Sequence, residues 1–294
     1  MIKDKSYRQI VFLSGKGGTG KTTFTAAFAK LLKNKIVIDC DVDAANLYLL
    51  LKPSGNKESV FIGCKKAAID LLKCTGCGLC EEVCRFDAIK NFVVDQISCE
   101  GCGFCVRVCP DNAISFEPNI SGIFFKGKLE DDSVFFHARL NPGEGNSGKL
   151  VTEIKKEALT NIDEKTEWIL IDGPPGIGCP VNASLAGSDF VVLIAEATLT
   201  GLHDLKRLIE LLKTFKFRHG IIINKYDLNE EITRAICDLA NDNGIEIFGL
   251  IAFNPDFVRS LQLGKTIIEH NPDIKTQIEE IWSKIKFEIP THQI

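Results

Sequence analysis

Eight closely spaced cysteines carry the clearest chemistry in this sequence. The chain of 294 residues contains twelve cysteines, and eight of them form two copies of the pattern C-x2-C-x2-C-x3-C. Thiols stay reduced in the cytosol, so this density favours metal ligation over disulfide bonds. The spacing is typical of a [4Fe–4S] site. A pair of structural zinc sites is the alternative, although zinc sites do not usually combine this spacing with a duplication.

The duplicated pattern resembles that of bacterial ferredoxins, in which the fourth cysteine of each copy ligates the other cluster. The resemblance implies two crossed ligand sets. One [4Fe–4S] cluster would take Cys74, Cys77, Cys80 and Cys109, and the other would take Cys99, Cys102, Cys105 and Cys84. Pro110 follows Cys109 as the pattern expects, whereas Arg85 follows Cys84. Because proline is not a ligand, we expect both clusters to bind.

A second pattern lies near the N-terminus, where residues 15–22 read G-x-x-x-x-G-K-T between an apolar strand and a helix. Its glycines let backbone N–H groups turn toward phosphate oxygens. Lys21 is expected to reach the β- and γ-phosphates, Thr22 to bind Mg²⁺, and Thr23 to bond the α-phosphate. The predicted nucleotide site comprises Gly15, Gly17, Gly18, Thr19, Gly20, Lys21, Thr22 and Thr23.

Residues 16–23, Lys-Gly-Gly-Thr-Gly-Lys-Thr-Thr, resemble the deviant phosphate loop of the MinD/ParA/Mrp and nitrogenase iron-protein group. The resemblance extends over nearly the whole chain, and it is strongest to MinD-superfamily ATPases that carry an inserted ferredoxin domain. It implies ATP and Mg²⁺ as ligands and slow, partner-stimulated hydrolysis gated by dimerisation. In that group a lysine at the position of Lys16 reaches across an ATP-sandwich homodimer to the partner's nucleotide.

The same resemblance assigns roles to two further stretches. Residues 39–46 look like the first switch, in which Asp41 would orient the attacking water. Residues 172–176 look like the second switch, in which Asp172 would hold Mg²⁺ through water. Catalysis is thereby assigned to Lys16, Lys21 and Asp41.

The stretch Asn-Lys-Tyr-Asp at 224–227 literally fits N-K-x-D, the guanine-reading motif of GTPases. In the MinD-like group an asparagine at this strand end reads adenine instead. A four-residue match is weak beside the phosphate loop. We therefore expect Asn224 to bind the base of ATP rather than GTP.

Continuous apolar runs alternate with helical patterns on both sides of the cysteine segment. Such runs suit strands of a parallel sheet that is buried on both faces. The sequence therefore predicts an α/β fold with a doubly wound, mostly parallel sheet and a small inserted α+β ferredoxin-like domain with short strands. The predicted strands are Gln9–Leu13, Ile36–Asp39, Trp168–Asp172, Phe190–Ile194, Gly220–Asn224 and Phe248–Ala252. The ATPase domain would span 1–64 and 119–294, and the insert 65–118.

Composition excludes several classes of protein. Hydrophobic residues make up 45% of the chain, which argues against disorder, and a net charge of −4 offers no basis for binding nucleic acid. No apolar run approaches the roughly 20 residues of a membrane helix, and the first residues lack a signal-peptide pattern. We therefore expect a cytoplasmic protein.

Some residues outside the motifs have two readings. Cys179 follows the second switch and is either a ligand or redox thiol or a small buried residue. Cys40 and Cys237 are expected in the core, and His137 and His203 at the surface or as caps. The final helical pattern, with Ile274, Ile278, Ile281 and Ile285, is expected to pack rather than to bind membranes because its polar face mixes Glu with Lys.

The combination leads to three hypotheses. In the first, a nucleotide-gated dimer couples ATP to electron transfer through two [4Fe–4S] clusters to a partner protein. In the second, the chain is a carrier or assembly factor for iron–sulfur or other metal cofactors. Spatial regulation of the MinD kind ranks last, since the cysteine insert has no use in it.

Overall fold

A computed structural model of the chain describes residues 6–289. The chain forms two compact units. The first comprises the residues up to Glu58, Phe125–Ala138, and those from Ser147 onward. The second comprises Ser59–Phe124 and Arg139–Asn146.

Helices and strands alternate through most of the chain. The strands are β1 (Arg8–Leu13), β2 (Lys35–Asp39), β3 (Ser54–Ile69), β4 (Ile89–Lys90), β5 (Val93–Val94), β6 (Ile114–Lys128), β7 (Val134–Leu140), β8 (Trp168–Asp172), β9 (Phe190–Glu196), β10 (His219–Asn224) and β11 (Glu246–Ile251). The helices are α1 (Lys21–Leu31), α2 (Leu47–Leu51), α3 (Leu79–Glu82), α4 (Phe104–Val108), α5 (Ser147–Leu159), α6 (Cys179–Leu185), α7 (Leu199–Thr214), α8 (Glu230–Asp242), α9 (Asp256–Gln262), α10 (Ile267–His270) and α11 (Pro272–Glu288).

The main sheet has the strand order β11-β10-β9-β1-β8-β2-β7-β6-β3. From β11 to β7 every pairing is parallel, which confirms the predicted α/β fold with a mostly parallel sheet. Strands β1, β2, β8 and β9 are apolar and buried almost throughout, because a parallel sheet is covered by helices on both faces. The carboxyl ends of these strands therefore meet along one edge, where the nucleotide loops begin.

The second unit has a small core. Its hydrophobic cluster of buried residues comprises Ala67, Cys80, Ile89, Cys105 and Ile114. Strands β4 and β5 are short, as expected, but β3 and β6 have 16 and 15 residues. Most of β3 and most of β6 lie outside the cysteine segment for which short strands were expected. The stretch Ser54–Val60 that opens β3 is polar and largely exposed, so no alternating apolar pattern predicted it.

The final helix packs as predicted. The isoleucines of α11 at positions 274, 278, 281 and 285 are all buried in the main hydrophobic core. Trp282 of the same helix lies edge-on to Trp168 and against Phe28. Within residues 6–289, no helix combines the length and the apolar character that crossing a membrane requires.

Candidate functional site

The phosphate loop runs from β1 to the start of α1 and turns through glycines. Gly18 and Gly20 have φ values of 81° and 96°, a left-handed conformation that favours glycine. A Cβ on Gly20 would lie 2.6 Å from Asn224 Nδ2. That amide donates a hydrogen bond to the Thr19 carbonyl oxygen at 2.8 Å, so Asn224 at the end of β10 braces the loop.

Asp172 collects three donors at the end of β8. Lys21 Nζ donates to its Oδ1 at 2.8 Å, and the Thr22 hydroxyl donates to its Oδ2 at 2.7 Å. Thr25, one turn further along α1, donates to Oδ1 at 2.9 Å. The structure thus brings together the predicted Mg²⁺ residues, Thr22 and Asp172, with the predicted phosphate lysine.

Asp39, at the end of β2, organises the loop after it. Its Oδ1 accepts a hydrogen bond from the Asp41 backbone N–H at 3.0 Å. Its Oδ2 accepts from the N–H groups of Asn46 and Leu47 at 3.2 and 3.1 Å. The predicted first switch therefore curls around one buried carboxylate, with Asp41 half-buried beside it. Sequence reasoning gave Asp39 no role, although an acidic residue that ends an apolar strand was a usable signal.

Burial shifts the pKa values of these charged groups. Burial by itself lowers the pKa of Lys21, but the carboxylates of Asp172, Asp39 and Asp41 together more than offset this, and the pKa ends above its ordinary value. Burial and the neighbouring Asp172 raise the pKa of Asp39 to about 7. The pKa of Asp41 is also raised, mainly by burial. Two buried carboxyls share one buried ammonium, so the site is short of positive charge and suits a divalent cation.

A buried hydroxyl in the loop also fits a phosphate ligand. Among residues 6–289, Thr19 Oγ1 is buried and has no hydrogen-bond partner. A buried donor without a partner is costly, and a phosphate oxygen would accept its hydrogen bond. The chemistry of the loop and of the cation site therefore fits a nucleotide with Mg²⁺.

Lys16 lies elsewhere in the loop and contacts its own chain. Its Nζ donates to the hydroxyls of Thr198 and Thr200, each at 3.1 Å, and forms an ion pair with Glu196 at 3.0 Å. Glu196 also pairs with Lys225 at 2.7 Å. No sequence signal pointed to Glu196, because its partners come from distant parts of the chain.

Two cavities of the second unit are lined by the two predicted cysteine sets. One is partly open to solvent, and its lining includes Cys74, Cys77, Cys80 and Cys109. The other is also partly open, and its lining includes Cys84, Cys99, Cys102 and Cys105. Each cavity therefore combines three cysteines of one copy of the pattern with the last cysteine of the other copy.

A backbone N–H group also contacts one of the sulfur atoms at these cavities. The Ala113 N–H donates to Cys109 Sγ at 3.3 Å. Burial raises the pKa of the thiols of Cys80 and Cys105. In the part of the chain that the structure describes, no group of three or more His, Cys, Asp or Glu side chains is arranged to hold a metal ion. The glycines of these loops with positive φ are Gly76, Gly78, Gly101 and Gly103.

The remaining cysteines and histidines divide by environment. Cys40 is fully buried, as expected, and burial raises its pKa to about 12, whereas Cys237 is only half-buried. Cys179 is exposed at the first residue of α6, so its reading as a small buried residue is wrong. His203 is exposed at the surface, as expected.

His137 departs from its predicted surface or capping role. It is 7% exposed in β7, and its ring stacks against those of Tyr48, Phe125 and Phe135. The expectation failed because a lone histidine in a sequence does not reveal its aromatic neighbours, two of which come from a distant helix and a distant strand.

A known protein family matches most of the chain. Residues 10–267 match the family described as the CobQ/CobB/MinD/ParA nucleotide binding domain. The chain belongs to this family. Its members are P-loop ATPases, which agrees with the predicted phosphate loop and with nucleotide binding.

Several known proteins are similar to this chain over most of their length. An uncharacterized protein of Methanocaldococcus jannaschii is 33% identical over 284 residues, which are 95% of this chain and 96% of that protein. The septum site-determining protein MinD of Thermotoga maritima is 23% identical over 292 residues, covering 95% of this chain and 88% of MinD. Spatial regulation of the MinD kind, the hypothesis ranked last, is thus the role that named relatives support.

Solved structures of the family share the fold at low identity. MinD from Pyrococcus horikoshii, complexed with Mg-ADP, is 18% identical with a TM-score of 0.56, covering 95% of this chain and 96% of MinD. A chain of the MinC:MinD cell division protein complex from Aquifex aeolicus is 21% identical with a TM-score of 0.54, covering 97% of this chain and 98% of that one. At these identities the likeness establishes the fold alone.

Proposed function

We propose that this chain is an ATPase that closes as a homodimer on ATP and that binds two [4Fe–4S] clusters in a ferredoxin-like insert at 65–118. The clusters would serve a redox or metal-cofactor assembly partner. The observation that carries this proposal is the crossed lining of the two cavities. Each cavity has three cysteines of one copy and the fourth of the other, as in the ferredoxin ligand scheme.

The surroundings of the cysteines suit such a cluster. A cubane takes its four thiolates at separate corners, so a cavity lined by cysteines fits it better than ligands that converge on one point. The positive-φ glycines allow backbone N–H groups to approach sulfur, and Cys109 already accepts one such bond. When bound, the two clusters supply one-electron redox chemistry.

The nucleotide half would act through residues of this chain. Lys21 and the loop N–H groups would bind phosphates. Thr22 and Asp172, which share a hydrogen bond of 2.7 Å, would hold Mg²⁺, Asp172 through water. Asn224 would contact adenine from the end of β10. Asp41 would orient the attacking water once a second copy, reached by Lys16, closes the site. Asp39 supports this role because it holds the Asp41 backbone.

Metal analysis of anaerobically purified protein tests the cluster half. We expect about eight irons and about eight acid-labile sulfides per chain. Cys109→Ser and Cys80→Ser should remove the electron paramagnetic resonance signal of one cluster, and Cys84→Ser and Cys105→Ser that of the other. Cys237→Ser, outside both cavities, is the matched control. Two results would overturn the assignment. One is zinc without sulfide, and the other is loss of the second cluster's signal, rather than the first's, in Cys109→Ser.

A second candidate function is spatial regulation like that of MinD, which the named relatives favour. The two functions differ in whether the cysteines must bind clusters, because only the redox or assembly function needs them. A regulator that does not use the clusters should keep its ATP-dependent partner binding when Cys80 and Cys105 are both changed to serine. Loss of partner binding in that variant, with MgATP hydrolysis retained, would favour the redox function.

A further inference from the structure

The ammonium of Lys16 is held in a built site at the junction of β9 and α7. Its three partners are the Glu196 carboxylate and the hydroxyls of Thr198 and Thr200. The junction is tight, because the Thr198 N–H donates to the Glu196 carbonyl oxygen at 2.7 Å. A Cβ on Gly201 would lie 2.3 Å from that same carbonyl oxygen. The partners of Lys16 are therefore fixed before any ligand arrives.

Glu196 is shared between two cations. Lys16 binds one carboxylate oxygen at 3.0 Å, and Lys225 binds the other at 2.7 Å. The carboxylate is largely buried, with 11% of the side chain exposed, whereas about 30% of each lysine side chain is exposed (31% and 27%). A hydrogen-bonded ion pair that is partly shielded from water is stronger than one at the open surface.

Burial by itself raises the pKa of Glu196, but hydrogen bonds from Lys225 and Lys16 outweigh this and the pKa is lowered. The carboxylate is therefore ionised at neutral pH. Lys16 cannot contact the nucleotide of another copy until it leaves these oxygens. A contact that exists in only one of two states shifts their equilibrium toward that state.

We propose that Glu196 is a positioning residue that stores Lys16 on its own protomer and thereby sets the protein concentration at which ATP drives two copies together. Lys225 competes for the same carboxylate and thereby weakens the ion pair between Lys16 and Glu196. This inference rests on the proposed function, namely on the ATP-driven homodimer that Lys16 completes.

The test measures the monomer–dimer midpoint of the full chain by sedimentation, with Mg²⁺ and a non-hydrolysable ATP analogue. Glu196→Gln keeps the shape but removes the charge, and it should move the midpoint to a concentration about tenfold lower. Lys225→Met removes the competing cation, so it should move the midpoint in the opposite direction. Glu288→Gln is the matched control, because it removes a carboxylate paired with Arg218 at the surface, and it should change nothing.

The opposite signs separate storage from structural damage. A distorted loop would shift the monomer–dimer midpoint of both variants in the same direction, and that result would overturn the proposal. If the wild-type chain associates and Glu196→Gln does not change its midpoint, Glu196 does not have the proposed role, whereas the ATP-driven dimer is supported. If the wild-type chain does not associate with the analogue, both the dimer and the storage role fail. In a Lys16→Ala background, Glu196→Gln should have no effect on the midpoint.

Discussion

In the nucleotide site, Asp172 accepts hydrogen bonds from Lys21, Thr22 and Thr25, all on the first turns of α1. Strands buried on both faces hold these residues in place. In the second unit, by contrast, two of the five residues that form the buried core cluster are themselves cysteines of the cavities. The first site is preorganised by its scaffold, whereas under the proposed function the second would rely on the clusters that its cysteines bind. Four predictions test this difference.

Removal of metal should have the largest effect, and only in the second unit. A small core gains much of its folding free energy from metal ligation. We expect an iron chelator to abolish hydrogen-exchange protection across residues 59–124 while β1, β8 and β9 stay protected. Equal protection with and without metal would contradict a ligand-dependent second unit. Cys237→Ser should leave protection unchanged in both states.

Removal of the buried ammonium should destabilise the first unit. Lys21→Met leaves the carboxyls of Asp172 and Asp39 buried without their nearest cation. We expect the free energy of unfolding of the nucleotide-free protein to fall by about 3 kcal/mol, measured by urea denaturation, and nucleotide binding to be lost. Lys30→Met is the control, since its partners Glu130 and Glu269 are both exposed and such pairs contribute about 0–1 kcal/mol. Equal losses in the two variants would show that the Lys21 pair is not specially stabilising.

The raised pKa of Asp39 predicts a pH dependence of the same unit. The folded protein keeps the Asp39 proton up to about pH 7, whereas the unfolded chain releases it near pH 4. Folded protein thus binds more protons between these values, so the stability of the nucleotide-free, Mg²⁺-free protein should fall as pH rises from about 4 to 7. The slope attributable to Asp39 is at most about 1.4 kcal/mol per pH unit.

Asp39→Asn should reduce this slope, and Asp41, whose pKa is also raised, should account for part of the remainder. Urea denaturation at intervals between pH 5 and 7 measures it. An unchanged slope in Asp39→Asn would assign the pH dependence to other groups.

The smallest effect is expected at Thr25. Its single hydroxyl proton is shared between two acceptors, Asp172 Oδ1 at 2.9 Å and the Lys21 carbonyl oxygen at 3.0 Å. Thr25→Val should cost about 1 kcal/mol of stability, because Asp172 keeps its other two donors. Calorimetric titration with MgADP should show less than about a tenfold loss of affinity. A loss as large as that of Lys21→Met would mean that the site is less preorganised than the contacts around Asp172 indicate.

Sequence patterns predicted the strands of the parallel sheet well because their burial on both faces leaves continuous apolar runs. Trp168–Asp172 begins and ends as predicted, and Phe190–Ile194 is only two residues short of β9. The same reasoning missed the length of β3, whose exposed, polar first half has no such run. It also missed α5, and it did not anticipate that Arg139–Asn146, outside the predicted insert, groups with the second unit.

The sequence by itself determined that the chain carries the phosphate loop of its family, and it predicted two ligand sets of four cysteines. Ligand sets and phosphate loops depend on spacings of a few residues, and these spacings are visible in the sequence without a structure. The tertiary structure decided the partners of the charged groups. Lys16 and Thr198 are separated by 182 residues, and Lys21 and Asp172 by 151. They meet only because parallel strands bring their carboxyl ends to one edge of a sheet, and a local pattern does not encode that proximity.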